Sequence, residues 1–158
     1  MRILVLSDSH HNTAVLKKII EKHSDIVHIF FLGDNTDDIE NIKGFFSNHI
    51  FHIVSGNCDF SSAYKSFNTE TIDNTRIYYC HGHRQNVKYT TETLLKTAKD
   101  LNCSLALFGH THKSMCAYSD GVYLVNPGSC ACSREGANSY AIIDITKQGI
   151  MPSILPVK

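Results

Sequence analysis

Residues 51–59 read FHIVSGNCD, an apolar run that stops at a glycine, an amide, a thiol and a carboxylate. A strand buried on both faces reads as a nearly continuous apolar run, and a glycine after it permits a sharp turn. The stretch therefore predicts a strand over Ile50–Val54 whose carboxyl end presents Asn57, Cys58 and Asp59 at a fixed place. The same arrangement occurs twice upstream. Ile3–Leu6 runs into Asp8-Ser9-His10-His11, and Ile26–Leu32 (IVHIFFL) runs into Gly33-Asp34-Asn35. Helical patterns lie between these runs. Asn12 or Thr13 can cap a helix that places Val15, Leu16, Ile19 and Ile20 on one face. Thr36–Phe46 opens with Asp37 and Asp38, which suit a helix dipole. The front half thus reads βαβαβ.

Beyond Ser61 the texture changes. FNTETI and RIYYC flank Asp73-Asn74-Thr75 as a hairpin, and Val87–Asn102 reads as the longest helix, with Leu94, Leu95, Ala98 and Leu101 on one face. LALFG, SMCAY, VYLVN, YAIIDI and Ile150–Leu155 follow as short strands, and Asp120-Gly121 is a two-residue hairpin signal. No repeat, linker or low-complexity stretch interrupts the chain, so residues 1–158 are expected to form one domain in which two sheets share a core.

Composition narrows the function classes. Hydrophobic residues make up 42% and charged residues 19%, which is ordinary globular usage and argues against disorder. A formal net charge of zero gives no footprint for long nucleic-acid backbones. No segment approaches the eighteen or so apolar residues of a membrane span, and Ile3–Leu6 is too short for an export signal. Six cysteines never form C-x-x-C, so zinc ribbons and thioredoxin motifs are excluded and reduced thiols in the cytoplasm are expected.

The polar residues gather where apolar runs end. Besides the three sites above, Cys80 is followed by His81-Gly82-His83, and LALF by Gly109-His110-Thr111-His112. Any one of these reads as an ordinary turn. Five in order, each with Asp, Asn or His, form an inventory of oxygen and nitrogen metal ligands at the strand ends that line an α/β crevice. The two His-x-His pairs would point the same way if their backbone were extended. Competing chemistries lack their motifs: there is no P-loop, no dinucleotide glycine fingerprint and no G-x-S-x-G elbow. A nucleophilic Cys58 is the remaining rival, and among metal-seeking groups the thiol reads better as a neighbour of the ligands.

The ordered set D-x-H (Asp8, His10), G-D (Gly33, Asp34), G-N-x-D (Gly56, Asn57, Asp59), H-G-H (His81–His83) and G-H-x-H (Gly109, His110, His112) resembles the calcineurin-like metallophosphoesterases. The likeness is to their short, single-domain bacterial and archaeal phosphodiesterases, and Asn126–Ser129 (NPGS) with Arg134 resembles that branch too. The resemblance implies an α/β fold, a four-layer α/β/β/α sandwich of two mixed β-sheets flanked by helices. It also implies two divalent ions, Mn²⁺ before Fe, Zn²⁺, Ni²⁺ or Mg²⁺. Asp8, His10, Asp34 and His112 would hold the first, and Asp34, Asn57, His81 and His110 the second. A hydroxide bridging the ions would attack a small phosphorylated substrate, so catalysis would run through Asp34, Asn57 and His81, with His83 and His11 placed to touch substrate or water.

Protein phosphatases of this superfamily carry, at the position of Cys58, a histidine that protonates the leaving group. A thiol is a weak donor, so aryl or activated phosphodiesters should be cleaved in preference to alkyl monoesters. The alternative reading is a catalytically weak metal-binding scaffold resembling the retromer-subunit branch. Neither reading involves a membrane, and exposed edge strands could pair two subunits.

Overall fold

The computed structural model describes all residues from Met1 to Lys158. β1 (Arg2–Leu6), β2 (His28–Phe31) and β3 (Ile50–Ile53) pair in parallel, with Leu4 opposite Ile29 and Phe30 opposite His52. Parallel neighbours need a crossover, which α1 (Thr13–Lys22) and α2 (Thr36–Lys43) supply. Asn12 caps α1, its side-chain oxygen accepting the Val15 N–H at 3.1 Å.

β4 (Phe67–Ile72) and β5 (Thr75–Cys80) form the expected hairpin about Asp73-Asn74, both at positive φ. After α3 (Glu92–Asp100) come β6 (Leu105–Leu107), β7 (Ser114–Ser119) and β8 (Val122–Pro127), with Asp120-Gly121 turning β7 into β8. β9 (Ser139–Thr146) and β10 (Gly149–Pro156) complete the chain. The β-rich back half does not stay together: β9 crosses to pair antiparallel with β1. The first sheet therefore has the order β10-β9-β1-β2-β3 and the second β4-β5-β6-β8-β7. Both mix parallel and antiparallel pairs.

Strand alternation sorts the side chains into layers. Ile3 and Val5 point between the sheets, with Leu105, Leu107 and Val125 from the second sheet. Leu4 and Leu6 point outward beneath Leu16, Ile20 and Ile39 of α1 and α2. On the far side Tyr78, Cys80 and Ala106 lie under Leu94 and Ala98 of α3. These three apolar layers, between helices and sheet, sheet and sheet, and sheet and helix, make a four-layer α/β/β/α sandwich. Each buried Leu or Ile contributes about 1.5–3 kcal/mol relative to exposure.

Some boundaries differ from the sequence reading. The last helix starts at Glu92, five residues later than Val87. Asn86 adopts a left-handed conformation and Val87 is buried against Gly82, which leaves residues 86–89 as turn and the chain non-helical up to 91. α2 ends at Lys43 rather than Phe46, and β2 begins at His28 rather than Ile26.

Candidate metal centre

Six of the expected ligands converge at the carboxyl ends of the strands. Ligand atoms of Asp8, His10, Asp34 and His112 lie within 4.8 Å of one another, and so do those of Asp34, His81 and His110. Asp34 is common to both groups and divides its oxygens. Oδ1 lies 3.4 Å from His81 Nε2, while Oδ2 lies 3.8 Å from His10 Nε2. Asp8 Oδ1 sits 3.2 Å from His112 Nε2 and 4.0 Å from His81 Nε2. Ring nitrogens also face each other, His10 Nε2 to His112 Nε2 at 3.0 Å and His81 Nε2 to His110 Nδ1 at 3.1 Å.

The surroundings decide which way these rings are protonated. His81 Nδ1 lies 2.7 Å from the Leu32 carbonyl and His112 Nδ1 lies 2.8 Å from that of Cys132. A carbonyl only accepts, so Nδ1 must donate in both rings and the Nε2 lone pair of the neutral ring turns toward the cluster. Asp8 Oδ1 is buried there without a hydrogen-bond partner. Lone pairs and buried carboxylate oxygens converging on one point repel unless a cation lies among them. That donor set, oxygen and imidazole nitrogen, fits a divalent metal.

The electrostatics agree. Burial works against ionising Asp34, yet His81 and the Cys58 N–H hold its carboxyl well below the usual carboxylate range. Burial would lower His81, but Asp34 and Asp8 push it up instead, and the Asp8 carboxylate beside it raises His112. The buried carboxylates thus demand positive charge at this point. His110 is held down at about 4 by burial and by His81.

The remaining expected residues lie at the rim. Asn57 is exposed, and its Nδ2 donates to Cys58 Sγ at 3.4 Å. The Cys58 N–H donates to Asp34 Oδ1 at 3.0 Å, which keeps the Gly56–Asp59 turn against the carboxylate common to both groups. Asp59 organises that turn by accepting the N–H groups of Gly56, Thr36 and Asp34 at 2.6, 2.7 and 3.0 Å. His83 packs 5.4 Å from His81 ring to ring, with its Nδ1 buried and unpartnered. Burial, His81 and Arg84 lower its pKa. His11 leans on the Asn35 side chain at the surface.

The extended backbone assumed for His-x-His is absent at the second pair. His110 and His112 have φ of +68° and +59°, and Asp8, His10 and Asp34 are left-handed too. Such residues turn sharply off their strands, which is how the three loops after β1, β2 and β6 aim inward, at a cost of order 1–3 kcal/mol for each residue. Tight packing holds them there. A Cβ on Gly109 would run into Ser7 Oγ and Asp8 Oδ2, and one on Gly56 would run into Asp34.

Several supporting residues escaped the sequence reading. Ser7 Oγ donates to Asp8 Oδ2 at 2.5 Å. Asp38, assigned only a dipole role, accepts the His11 N–H at 2.9 Å and the Ser9 hydroxyl at 2.6 Å, tying down the Asp8–His11 loop. In NPGS, Asn126 Nδ2 donates to the Gly109 carbonyl at 2.9 Å and Ser129 Oγ to the Asp8 carbonyl at 2.7 Å. A small polar residue directly after an apolar run, as at Ser7 and Asn126, is the one sequence signal that could have marked any of them.

Comparison with known proteins follows the same lines. The chain is 29% identical over 147 residues to a probable metallophosphoesterase, YsnB, of Bacillus subtilis, covering 92% of this chain and 85% of that protein. It is 25% identical over 168 residues to phosphodiesterase MJ0936 of Methanocaldococcus jannaschii, covering 94% and 95%. Vacuolar protein sorting-associated protein 29 of Schizosaccharomyces pombe is 29% identical over 163 residues, covering 98% and 83%. Among solved structures, a predicted phosphoesterase of Streptococcus pneumoniae superposes with a TM-score of 0.84 at 22% identity, over 98% of this chain and 88% of that one, and shares the fold. The pattern of the calcineurin-like phosphoesterase superfamily domain matches residues 1–148, and the chain belongs to that superfamily.

Proposed function

We propose that this protein is a metal-dependent phosphodiesterase acting on small phosphodiesters or activated phosphoesters, with residues 1–158 as one domain. The observation that carries the proposal is the unpartnered Asp8 Oδ1 facing imidazoles whose Nδ1 atoms are committed to carbonyls. Asp8, His10, Asp34 and His112 would hold one divalent ion, and Asp34, Asn57, His81 and His110 a second. Mn²⁺ is the first choice for this donor set, ahead of Fe, Zn²⁺, Ni²⁺ and Mg²⁺. Such a pair, when bound, acidifies water into a nucleophile and neutralises charge on the phosphoryl group.

The chain's own residues do the rest. Asp34 stays ionised and spans both groups, one oxygen to each. Asp59 and the Cys58 N–H hold Asp34 and Asn57 in register. His83, an imidazole whose pKa is lowered, stands beside His81 where it can accept or orient a substrate hydrogen bond. Cys58 serves poorly as acid or nucleophile, because partial desolvation and then the Asp34 carboxylate push its thiol up to about 11. Leaving groups that depart without a proton are therefore favoured. With Mn²⁺, bis(p-nitrophenyl) phosphate should be hydrolysed faster than sugar monophosphates, and equal rates would remove the preference.

The similarity to vacuolar protein sorting-associated protein 29 sustains one alternative, a metal-binding scaffold with little turnover. Asp34→Asn separates the two, since a diesterase rate unchanged by that substitution would favour the scaffold. No helix is long and apolar enough to cross a membrane. All six cysteines are free, in keeping with a cytoplasmic setting. The edge strands β4, β7, β3 and β10 offer the surface for a homodimer.

A further inference from the structure

Two clefts flank the candidate metal centre, and they differ in charge. One, of about 440 Å³, lies on the Asn57 side with Asp59 and Arg84 in its wall, a carboxylate against a guanidinium. Phe60 stands at its edge, 95% exposed. The other, of about 480 Å³, lies against the His110–His112 loop and is lined by Thr111 between those histidines. Lys88, Lys113 and Arg134 surround it against the single carboxylate Glu135, above the buried apolar side chains of Val87 and Phe108. The chain as a whole carries no net charge, so this excess of cations is local.

The second cleft is built onto the metal centre. The Arg134 N–H donates to the His112 carbonyl at 3.1 Å. Val87 packs on Gly82, where a Cβ would meet it at 2.7 Å, between His81 and His83. The Lys113–Glu135 pair, at 3.3 Å, does not silence Lys113, because its side chains are 56% and 70% exposed and water screens them. An apolar floor with a cationic rim suits a group that is part carbon and part phosphate, and the volume matches a mononucleotide-sized arm.

We propose that this cleft binds a second phosphate carried on one arm of the substrate, so that the preferred class is a small phosphodiester bearing an additional phosphomonoester. This rests on the phosphodiesterase reading above. The scissile phosphate lies at the metal centre, the phosphorylated arm extends over Val87 and Phe108 to Lys88, Lys113 and Arg134, and the other arm leaves past Phe60.

The test compares three dinucleotides with Mn²⁺: dithymidylate, its 5′-phosphorylated form and its 3′-phosphorylated form. At least one phosphorylated form should exceed the plain one in kcat/KM by about tenfold, the value of one charge-assisted phosphate contact. That ratio should fall toward one in the double variant Lys88→Met/Lys113→Met and rise in Glu135→Gln. A ratio cancels any loss of folded protein common to the substrates. The second readout needs no turnover. Thymidine 3′,5′-bisphosphate added to metal-free protein should shift the amide resonances of Lys88, Thr91, Lys113 and Ser114, and the double variant should lose those shifts. Hydrolysis of all three dinucleotides at equal rates, or a ratio that survives the double variant, overturns the cleft assignment and leaves the diesterase intact. Turnover of none overturns the diesterase. In that case shifts elsewhere, or shifts unchanged in the double variant, overturn the cleft as well.

Discussion

The two sheets meet at the candidate centre with opposite chemistry. Loops after β1 and β2 bring the carboxylates Asp8 and Asp34, with His10, whereas loops after β5 and β6 bring only imidazoles, His81, His110 and His112. The supports are opposite as well. Donors hold the carboxylates: Ser7 Oγ and the His110 N–H on Asp8, the Cys58 N–H on Asp34. Carbonyls of Leu32 and Cys132 hold the imidazoles. Two of these supports cross between sheets, since His110 of the second sheet binds Asp8 and Leu32 of the first binds His81. Neither sheet arranges its own ligands alone. Buried carboxylates repel one another and buried lone pairs do the same; brought together, they make a seat for cations.

The largest expected effect breaks the division at its shared member. Asp34→Asn should remove both metal equivalents and reduce diesterase activity by on the order of 10³-fold or more, whereas His110→Ala should remove one equivalent only. Elemental analysis after dialysis against Mn²⁺, with rates on bis(p-nitrophenyl) phosphate, measures both, and identical losses would contradict the partition.

Next comes the contact where the sheets press together. Gly109→Ala drives a Cβ into Ser7 and Asp8 and should weaken Mn²⁺ binding by about 10–100-fold while costing about 1–3 kcal/mol of stability. Ser129→Ala removes the partner of the Asp8 carbonyl. It should destabilise by about 1–3 kcal/mol with a smaller loss of metal affinity, read by denaturant titration and by calorimetry.

The smallest effect at the centre is expected from His52, a histidine away from both ligand groups. Buried against Phe30 and beside Glu70 and His28, it is held down at about 4, chiefly by desolvation. A folded-state pKa below the unfolded value near 6.5 means that the unfolded chain binds the proton more readily. Stability from this residue is present above pH 6.5 and is lost as pH falls toward 4. His52→Phe should flatten that slope by about 1–2 kcal/mol in urea titrations and leave metal content unchanged.

How far the sequence carried is visible in particular residues. The continuous apolar run Ile3–Leu6, the Asn12 cap and the two turns at Asp73-Asn74 and Asp120-Gly121 are local signals, and each stands in the structure as read. The polar clusters at the strand ends, four of which supply the converging side chains, were legible for the same reason, since they follow apolar runs directly. The late start of α3 was not, because Leu94, Leu95 and Ala98 keep their helical spacing whether or not the chain before Thr91 is helical. Left-handed His110 and His112 were hidden too. Histidine's enrichment at positive φ is too slight to mark a given residue, and packing across the sheets imposes this backbone. The roles of Asp38, Asn126 and Ser129 depend on partners 27, 17 and 121 residues away, and no local pattern links the two ends.

That separation has a kinetic consequence. The hydrogen bond from Ser129 to Asp8 closes a loop of most of the chain, as do the pairing of β1 with β9 and the bond from the Met1 amine to Ile145. Contacts so distant in sequence are slow to form, because chain entropy is lost before they contribute. The first candidate ligand in the chain is therefore secured by one of the last segments to be made. Metal uptake is then expected at the end of folding, and the rate at which Mn²⁺ binds to refolding protein should follow the slowest folding phase rather than diffusion.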